Sequence, residues 1–458
     1  MVSELVAAVG AAHVVAGDDP SVADLCADEA LGVPAGKPAW VVWPADRDEV
    51  AAVVRAARAA GMSVTARGAG TGLSGAATPD DGAVLVSFAR MDRILEVDPV
   101  EAVAVVQPGV PLTALDAAAR EHGLTYPVHP GEQSASLGGT VATNAGGMRA
   151  VRYGVTRSHV LGLEAVLADG SVVRTGGRLA KISSGYDLTQ LLVGSEGTLA
   201  LVTEVTVRLH PHLPARRTVL APFPSAEAVT AAVGRVLATG LAPTICEYLD
   251  GPTMRAVCAA ADLTLGLPEE LLDADHLLVE LAGRRPDRVD EDAEELAGLL
   301  AELGAADVFD LPVGSARRLV EAREGAFWAV KAAGADEIVD LVVPRSAMAT
   351  FLARARAAGD AHGARVLGCG HAGDGNVHLA VFQPDPERLG ATLHDVFAAG
   401  VALGGAVSGE HGVGRAKAHA LETFGDPAAL DVLRRVRAAL DPDGVLNPGC
   451  AVRLSGGR

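Results

Sequence analysis

The most restrictive feature of this sequence is a glycine-rich stretch, ARGAGTGLSGAATPDDG at residues 66–82, that leads into an apolar strand instead of a helix. The stretch contains a literal G-x-G-x-x-G at Gly70, Gly72 and Gly75. A nucleotide-binding fold of the Rossmann type needs that motif to open a helix, so the context argues against such a fold. Two interpretations remain: an ordinary glycine turn, or a loop whose open N–H groups bind an anion, with Arg67 at its lip.

Two further segments also crowd small residues into loops. The segment HPGEQSASLGGTVATNAGG spans residues 129–147, and VGSEGTLALVTEV spans residues 193–205. Small side chains along an extended segment allow a flat ring system or a diphosphate to lie directly against the backbone. Together, the three segments predict a site for a large dinucleotide.

Two histidines flank a turn in the segment GHAGDGNVHL. The intervening Gly-Asp-Gly is typical of a tight hairpin, so His371 and His378 are expected to meet across neighbouring strands. Such a pair either binds a divalent metal with further ligands or only forms hydrogen bonds. Further along, SGEHGVGR offers Glu410 as an oxygen ligand, giving an N,N,O set with open coordination positions. The next residue, His411, is a candidate general base or an ordinary loop histidine.

Composition narrows the possible partners and the cellular location. The chain has 458 residues and a formal net charge of −19. Such an acidic balance repels phosphate backbones, so we expect no nucleic-acid partner. The early apolar run LVAAVGAAHVVAG is too short to span a bilayer and lacks the basic start of a secretory signal, so no transmembrane segment is expected. Five scattered cysteines favour a reducing compartment, and we expect a cytoplasmic protein.

The order of apolar patterns predicts two α+β halves. From about residue 38, a β-α-β unit is followed by hairpins, and this half ends near LVTEVTVRLHP. From Arg216, the pattern of strand, helix and strand repeats. Because no low-complexity linker separates the halves, they are expected to pack tightly with a cleft between them.

In combination, these motifs resemble a known flavoprotein family. RGAGTGLSG, PGEQSASLGGTVATNAGG, the YG pair at Tyr153 and Gly154, and GSEGTL resemble the FAD-binding domain of the vanillyl-alcohol oxidase type, also called PCMH-type. GHAGDGNVH, SGEHGVGR and LDPDGVLNPG resemble the C-terminal half of its D-2-hydroxy acid dehydrogenase branch. That branch includes D-lactate dehydrogenases, the glycolate oxidase flavin subunit and D-2-hydroxyglutarate dehydrogenases.

The resemblance implies an α+β fold with two domains, a PCMH-type FAD-binding domain and a ferredoxin-like FAD-linked oxidase domain. The implied divisions are an N-terminal helical segment at 1–37, the FAD-binding domain at 38–212, a substrate-binding cap domain with the metal site at 213–420, and a C-terminal helix and tail at 421–458 that return to the FAD-binding domain.

The resemblance also implies that FAD is the cofactor. Members that bind flavin covalently carry a histidine where this chain has Thr71, so FAD is expected to be held non-covalently. Glu132, Gln133 and Cys450 depart from the usual residues of the family. The implied cofactor-binding residues are Arg67, Gly68, Ala69, Gly70, Thr71, Gly72, Ser74, Gly75, Ser134, Gly138, Gly139, Thr143, Asn144, Gly146, Gly147, Tyr153, Gly154, Glu196, Gly197, Val202 and Asn447.

The activity implied by the resemblance is metal-assisted, FAD-dependent oxidation of a small D-2-hydroxy acid to the 2-oxo acid. His371, His378 and Glu410 are the implied ligands of a divalent metal, expected to be zinc. Arg323 is the implied binder of the substrate carboxylate, and His411 is the implied base.

Two positions bear on the choice of acid. Relatives that oxidise D-2-hydroxyglutarate carry polar residues where this chain has Ile338 and Ala380. Their absence favours a small or apolar side chain, as in D-lactate or glycolate, over a second carboxylate.

Other interpretations stay open at the level of sequence. They are a D-2-hydroxyglutarate dehydrogenase, a non-redox enzyme like the ether-lipid synthases, and a flavin subunit with little activity outside a larger complex. The sequence leaves the electron acceptor open among quinone, cytochrome, an electron-transfer protein and oxygen. A homodimer and membrane association through a partner are both compatible with it.

Overall fold

The computed structural model describes residues 1–454, and it divides into two halves of mixed helix and sheet. The strands of the first half are β1 Val14–Ala16, β2 Trp40–Val42, β3 Val64–Arg67, β4 Val84–Ser87, β5 Ile94–Asp98, β6 Val103–Val106, β7 Leu124–Thr125, β8 Val160–Val166, β9 Val172–Gly176, β10 Leu201–Arg208 and β11 His210–Pro211. Its helices are α1 Val2–Val9, α2 Arg47–Ala59, α3 Leu112–Arg120, α4 Leu137–Thr143, α5 Ala150–Tyr153 and α6 Leu188–Leu192.

The second half contains the larger sheet and the longer helices. Its strands are β12 Ala215–Phe223, β13 Ile245–Leu249, β14 Asp275–Gly283, β15 Phe309–Asp310, β16 Glu337–Val342, β17 Arg365–His371 and β18 Asn376–Phe382. The helices from residue 213 onward are α7 Ala226–Ala238, α8 Gly251–Ala260, α9 Pro286–Glu302, α10 Val313–Glu324, α11 Ala326–Ala332, α12 Met348–His362, α13 Pro386–Ala402, α14 Ala418–Phe424 and α15 Pro427–Leu440.

Two larger sheets and the short antiparallel pair of β7 with β11 build the first half. The smaller has the order β1-β2-β4-β3, with β2, β4 and β3 parallel, as expected for the predicted β-α-β unit. The other has the order β5-β6-β10-β8-β9 and is antiparallel throughout. The glycine-rich stretch at residues 66–82 runs from β3 into β4 without a helix, which agrees with the argument against a Rossmann fold.

The N-terminal segment is only partly helical. Helix α1 covers its start, but β1 then pairs antiparallel with β2, with Val14 opposite Val42. The apolar run after His13 therefore extends the sheet, because its valines have better partners there than in a longer helix. The helical interpretation of residues 1–37 is accordingly too simple.

One antiparallel sheet of seven strands forms the centre of the second half. Its order is β15-β12-β14-β13-β17-β18-β16. Helices α7, α9, α12 and α13 contribute apolar side chains to the core on one face. Helices α8 and α10 pack on the other face. Because side chains alternate along a strand, residues two apart on β17, β18 and β16 face the same way, which decides where the site lies.

The C-terminal tail returns to the first half. The N–H of Val64 on β3 donates to Val445 O, and the N–H of Asn447 donates to Val64 O. Within residues 1–454, no helix combines the length and the apolar composition that crossing a bilayer requires.

Candidate active site

The two histidines of the predicted hairpin lie on one face of the large sheet. In the β17–β18 ladder, His378 is opposite Cys369, and Cys369 and His371 share a face because they are two residues apart. The ring centroids of His371 and His378 are 5.0 Å apart. Gly375 closes the turn with a φ of 77°, where a side chain would collide with the carbonyl of Val343. The local sequence therefore specifies this hairpin and the meeting of its imidazoles.

Glu410 brings a carboxylate oxygen to both imidazoles. Its Oε1 lies 3.0 Å from His371 Nε2 and 3.3 Å from His378 Nε2. Burial alone would raise the pKa of Glu410, but His371 holds it well below its usual range. Gly146 of the second glycine-rich segment lies directly beside this carboxylate, since a Cβ there would be 2.6 Å from Oε2. These two nitrogens and one oxygen form a donor set that suits a divalent ion.

A fully buried carboxylate that sequence reasoning missed lies behind His371. Glu247 Oε1 is 2.7 Å from His371 Nδ1, and its other oxygen, Oε2, is 2.8 Å from Arg323 Nη2. Burial opposes the charged imidazole, but Glu247 and Glu410 together raise the pKa of His371 well above its usual value. The metal-ligand candidates and the predicted carboxylate binder are therefore joined through one residue.

Asp340 fixes the loop that carries Glu410, and it too was not predicted. Its carboxylate is buried at β16 and accepts hydrogen bonds from the N–H groups of Gly409, Glu410 and His411 at about 3 Å. Lys417 Nζ donates to the same carboxylate at 3.2 Å. Burial would raise the pKa of Asp340, but the neighbouring ammonium lowers it well below its usual range.

His411 lies partly buried between the other site residues. Its ring stacks on that of His378, with the centroids 5.0 Å apart. Burial lowers its pKa to about 4, so the imidazole is neutral near pH 7. Within residues 1–454, its Nδ1 has no hydrogen-bond partner, and Asp340 Oδ2 is 4.0 Å away. A neutral imidazole with an unpaired nitrogen can accept a proton.

A large cleft runs between the glycine-rich loops and the second half. Its volume is about 180 Å³, and its lining includes Glu410 and His411 at one end. Within residues 1–454, the main-chain N–H groups of Gly70, Thr71 and Gly72 donate to no protein acceptor. Open N–H groups in a glycine loop suit a phosphate group, and the long apolar remainder of the cleft suits a flat ring.

About half of the predicted cofactor-binding residues line this cleft. They are Gly68, Ala69, Gly70, Thr71, Gly72, Gly138, Gly139, Thr143, Glu196, Gly197 and Val202. Ser136, which the prediction omitted, supports the first loop because its hydroxyl accepts a hydrogen bond from the N–H of Ala69.

The side chains of several predicted cofactor residues point away from the cleft. Arg67 donates to the carbonyls of Asp24 and Ala27, so its guanidinium supports the loop from behind. Asn144 ends α4 in the left-handed conformation, and Tyr153 packs edge-on against a histidine ring.

Asn447 also lies behind the cleft. Its amide donates to the carbonyls of Ala76 and Glu196, and so ties the C-terminal tail to the loops.

The remaining predicted cofactor residues surround the cleft without lining it. Ser74 donates to the carbonyl of Gly412, and Ser134 lies exposed beside Glu132. Gly75, Gly146, Gly147 and Gly154 allow close packing against neighbouring groups.

A second, smaller cavity adjoins the cleft on the side of the metal-ligand candidates. Arg323, His371, His378, Glu410 and His411 all line it, and the last two are shared with the cleft. The Nε of Arg323 has no hydrogen-bond partner within residues 1–454. The predicted catalytic and metal residues therefore meet at one place.

Comparisons with known proteins agree with this architecture. Residues 38–176 match the family described as FAD binding domain, and residues 213–451 match the family described as FAD linked oxidases, C-terminal domain. Among solved structures, 4-ethylphenol oxidase from Gulosibacter chungangensis has a TM-score of 0.80 at 22% identity, covering 99% of this chain and 97% of that one. p-Cresol methylhydroxylase has a TM-score of 0.82 at 17% identity, covering 100% and 97%. Because both identities are below 25%, these two similarities show the fold only.

Relatives by sequence cover nearly the whole chain. An uncharacterized FAD-linked oxidoreductase of Mycobacterium tuberculosis is 54% identical over 96% of both chains. The D-lactate dehydrogenase of Archaeoglobus fulgidus is 38% identical over 90% of this chain and 91% of its own. The glycolate oxidase subunit GlcD of Bacillus subtilis is 36% identical over 89% and 88%.

The fold and the matches define a two-domain oxidoreductase with a PCMH-type FAD-binding domain and FAD as its cofactor. Within that class, the chain belongs to the family of FAD linked oxidases, in the group that contains D-lactate dehydrogenases, glycolate oxidase subunits and D-2-hydroxyglutarate dehydrogenases.

Proposed function

We propose that this protein oxidises a small D-2-hydroxy acid, D-lactate or glycolate in the first instance, to the corresponding 2-oxo acid. One observation carries the proposal: Arg323, the His371–His378–Glu410 set and His411 surround a single cavity that opens onto the FAD cleft. Relatives named D-lactate dehydrogenase and glycolate oxidase subunit support the same substrate class.

FAD fits the cleft, and we propose that it is held without a covalent bond. The open N–H groups of Gly70, Thr71 and Gly72 suit the pyrophosphate. Thr71 lines the cleft where covalent members carry histidine, and a threonine hydroxyl does not form that link. When bound, FAD supplies a two-electron acceptor that takes the α-hydrogen of the acid as hydride.

A divalent ion, zinc by preference, fits the donor set of His371, His378 and Glu410. Two imidazole nitrogens and one carboxylate oxygen leave coordination positions open, as in catalytic sites. When bound, such an ion supplies Lewis acidity that makes the substrate hydroxyl easier to deprotonate.

The chain's own residues account for binding and proton transfer. Arg323 holds the substrate carboxylate through its planar guanidinium, while Glu247 orients that side chain from behind. His411 takes the hydroxyl proton, because its imidazole is neutral and its Nδ1 is unpaired within residues 1–454. The proton moves to the imidazole as the α-hydrogen leaves with its electron pair, so a 2-oxo acid is released.

Replacing His411 by Ala tests its role. We expect FAD to remain bound, while the rate of flavin reduction by substrate in anaerobic stopped-flow falls on the order of a hundredfold or more. His419→Ala is the matched control, since that histidine is exposed on α14. A His411→Ala protein that reduces flavin at the control rate would exclude this residue as the base.

A further inference from the structure

One wall of the second cavity is built from apolar side chains of four elements. Phe327 and Val330 on α11, Ile338 on β16, Leu367 on β17 and Ala380 on β18 line it and pack together in one cluster. We call these five residues the apolar wall. Ile338 and Ala380 are direct cross-strand partners, so these two residues of the wall lie side by side.

The polar side chains of the cavity form a separate group. Arg323 and His371 both contact Glu247, and His371, His378 and His411 all contact Glu410. A 2-hydroxy acid carries its carboxylate and hydroxyl on adjacent carbons, and this group serves both. The third substituent is the side chain of the acid, and it would contact the apolar wall.

The cavity can hold a ligand at least as large as lactate. Its volume is about 90 Å³. At roughly 10–15 Å³ for each water-sized group, it has room for roughly six to nine such groups. Lactate supplies about six non-hydrogen atoms, and only a methyl among them could cover the wall. On the proposed function, we infer that the preferred substrate is a 2-hydroxy acid with a branched apolar side chain of about four carbons.

A second carboxylate is poorly matched to the same cavity. Among the described residues that line it, Arg323 is the only arginine or lysine, and the carboxylate residues are Glu324 and Glu410. Burial raises the pKa of Glu324, and a second carboxylate nearby would lose its hydration without gaining a cation. D-2-hydroxyglutarate is therefore disfavoured.

Anaerobic flavin reduction tests this preference on the full-length protein loaded with FAD and zinc. D-2-hydroxy-4-methylpentanoate is compared with D-lactate and D-2-hydroxyglutarate by the second-order rate constant in stopped-flow. We expect the branched acid to react about tenfold faster than D-lactate and on the order of a hundredfold faster than D-2-hydroxyglutarate.

Variants at Val330 change the wall in opposite directions. Val330→Phe should lower the ratio of the rate constant for the branched acid to that for D-lactate by about fivefold. Val330→Ala should preserve or raise the corresponding ratio for a longer apolar acid. Val313→Phe makes the same change at a valine that is 73% exposed on α10 and serves as the control. FAD absorbance of each variant reports whether the site is intact.

The outcomes separate this inference from the proposed function. Faster reaction with the branched acid, reduced by Val330→Phe, supports the inference. Reduction by D-lactate or glycolate at rates equal to or above the branched acid overturns the inference but leaves the proposed function standing. Failure of every acid to reduce the flavin overturns both.

Discussion

A single residue, Glu247, connects the two proposed binding functions of the site, for the metal and for the substrate carboxylate. Its carboxylate is fully buried, with one oxygen on His371 and the other on Arg323. A carboxylate behind a metal-ligating histidine fixes the ring and makes it a better ligand. The same residue holds the guanidinium proposed to bind the substrate carboxylate, so both groups keep one relative position.

Replacing Glu247 by Gln should weaken zinc affinity by about 10–100-fold, because the amide is a poorer partner for His371 Nδ1. The measurement is competition for zinc against a chromophoric chelator, with metal content checked by mass spectrometry. Glu280→Gln is the control, since Glu280 is similarly buried but pairs with Arg216 instead. Unchanged zinc affinity in Glu247→Gln protein would contradict the role given to Glu247.

Local sequence was enough to place some of these residues in the site, and it was not enough for others. His371 and His378 were predictable because the turn between them and the strand alternation are both local. Glu247 was not, because it lies 124 positions before His371 and within the ordinary apolar strand ICEYL. The direction of the Arg67 side chain was not predictable, because adjacency to a loop does not fix the direction of a strand side chain.

Strand β16 positions residues of the site and also carries a carboxyl group whose pKa is raised by burial. Its Asp340 anchors the loop with Glu410 and His411, and its Ile338 forms part of the apolar wall. At the start of the strand, burial raises the pKa of Glu337 to about 7. The carboxylate lies beside Gly32 of the N-terminal segment.

The free energy of unfolding should fall as the pH rises, because folding raises the pKa of Glu337. The unfolded carboxyl has its ordinary pKa near 4.5, so between about pH 4.5 and 7 the folded state binds more protons than the unfolded state. Glu337→Gln should therefore be nearly neutral at pH 4.5 and stabilising by up to roughly 3 kcal/mol at pH 8. Urea unfolding at both pH values measures this.

Glu302→Gln provides the comparison for Glu337→Gln, because Glu302 is exposed at the end of α9. A constant difference in the free energy of unfolding between Glu337→Gln and the native protein at both pH values would contradict a raised pKa.

Element order was the easiest part of the fold to predict. The repeated strand, helix and strand from Arg216 appears as β12, α7, β13, β14, α9 and β15. The entry of Val14–Ala16 into a sheet was missed because its partner, β2, lies beyond an irregular segment. Pairing of distant strands depends on the whole fold and is weakly encoded in either strand alone.

At the scale of the molecule, the halves and the tail meet at Glu196. This residue has a φ of 52°, and its carboxylate accepts hydrogen bonds from the N–H groups of Val413 and Gly414. Its carbonyl accepts from the side chain of Asn447. The loop with Glu410 and His411 is thereby fixed against the cleft that suits FAD.

Removing the metal should slow flavin reduction without releasing FAD. The FAD cleft and the metal-ligand set use largely different residues, so treatment with a chelator should leave FAD bound. Flavin reduction by the acid should slow by about tenfold or more and recover when zinc is restored. An unchanged rate in protein depleted of metal would contradict metal assistance, and a buffer-exchanged sample without chelator is the control.

The most direct test is an anaerobic absorbance spectrum of the protein with FAD and zinc, repeated after adding D-lactate, L-lactate, glycolate, D-2-hydroxy-4-methylpentanoate or D-2-hydroxyglutarate. Because Arg323, the metal-ligand set and His411 surround one cavity beside the FAD cleft, we expect rapid loss of the oxidised flavin band with at least one small or apolar 2-hydroxy acid. A flavin that stays oxidised with every acid, although FAD and zinc are bound, would contradict the proposed oxidation of 2-hydroxy acids.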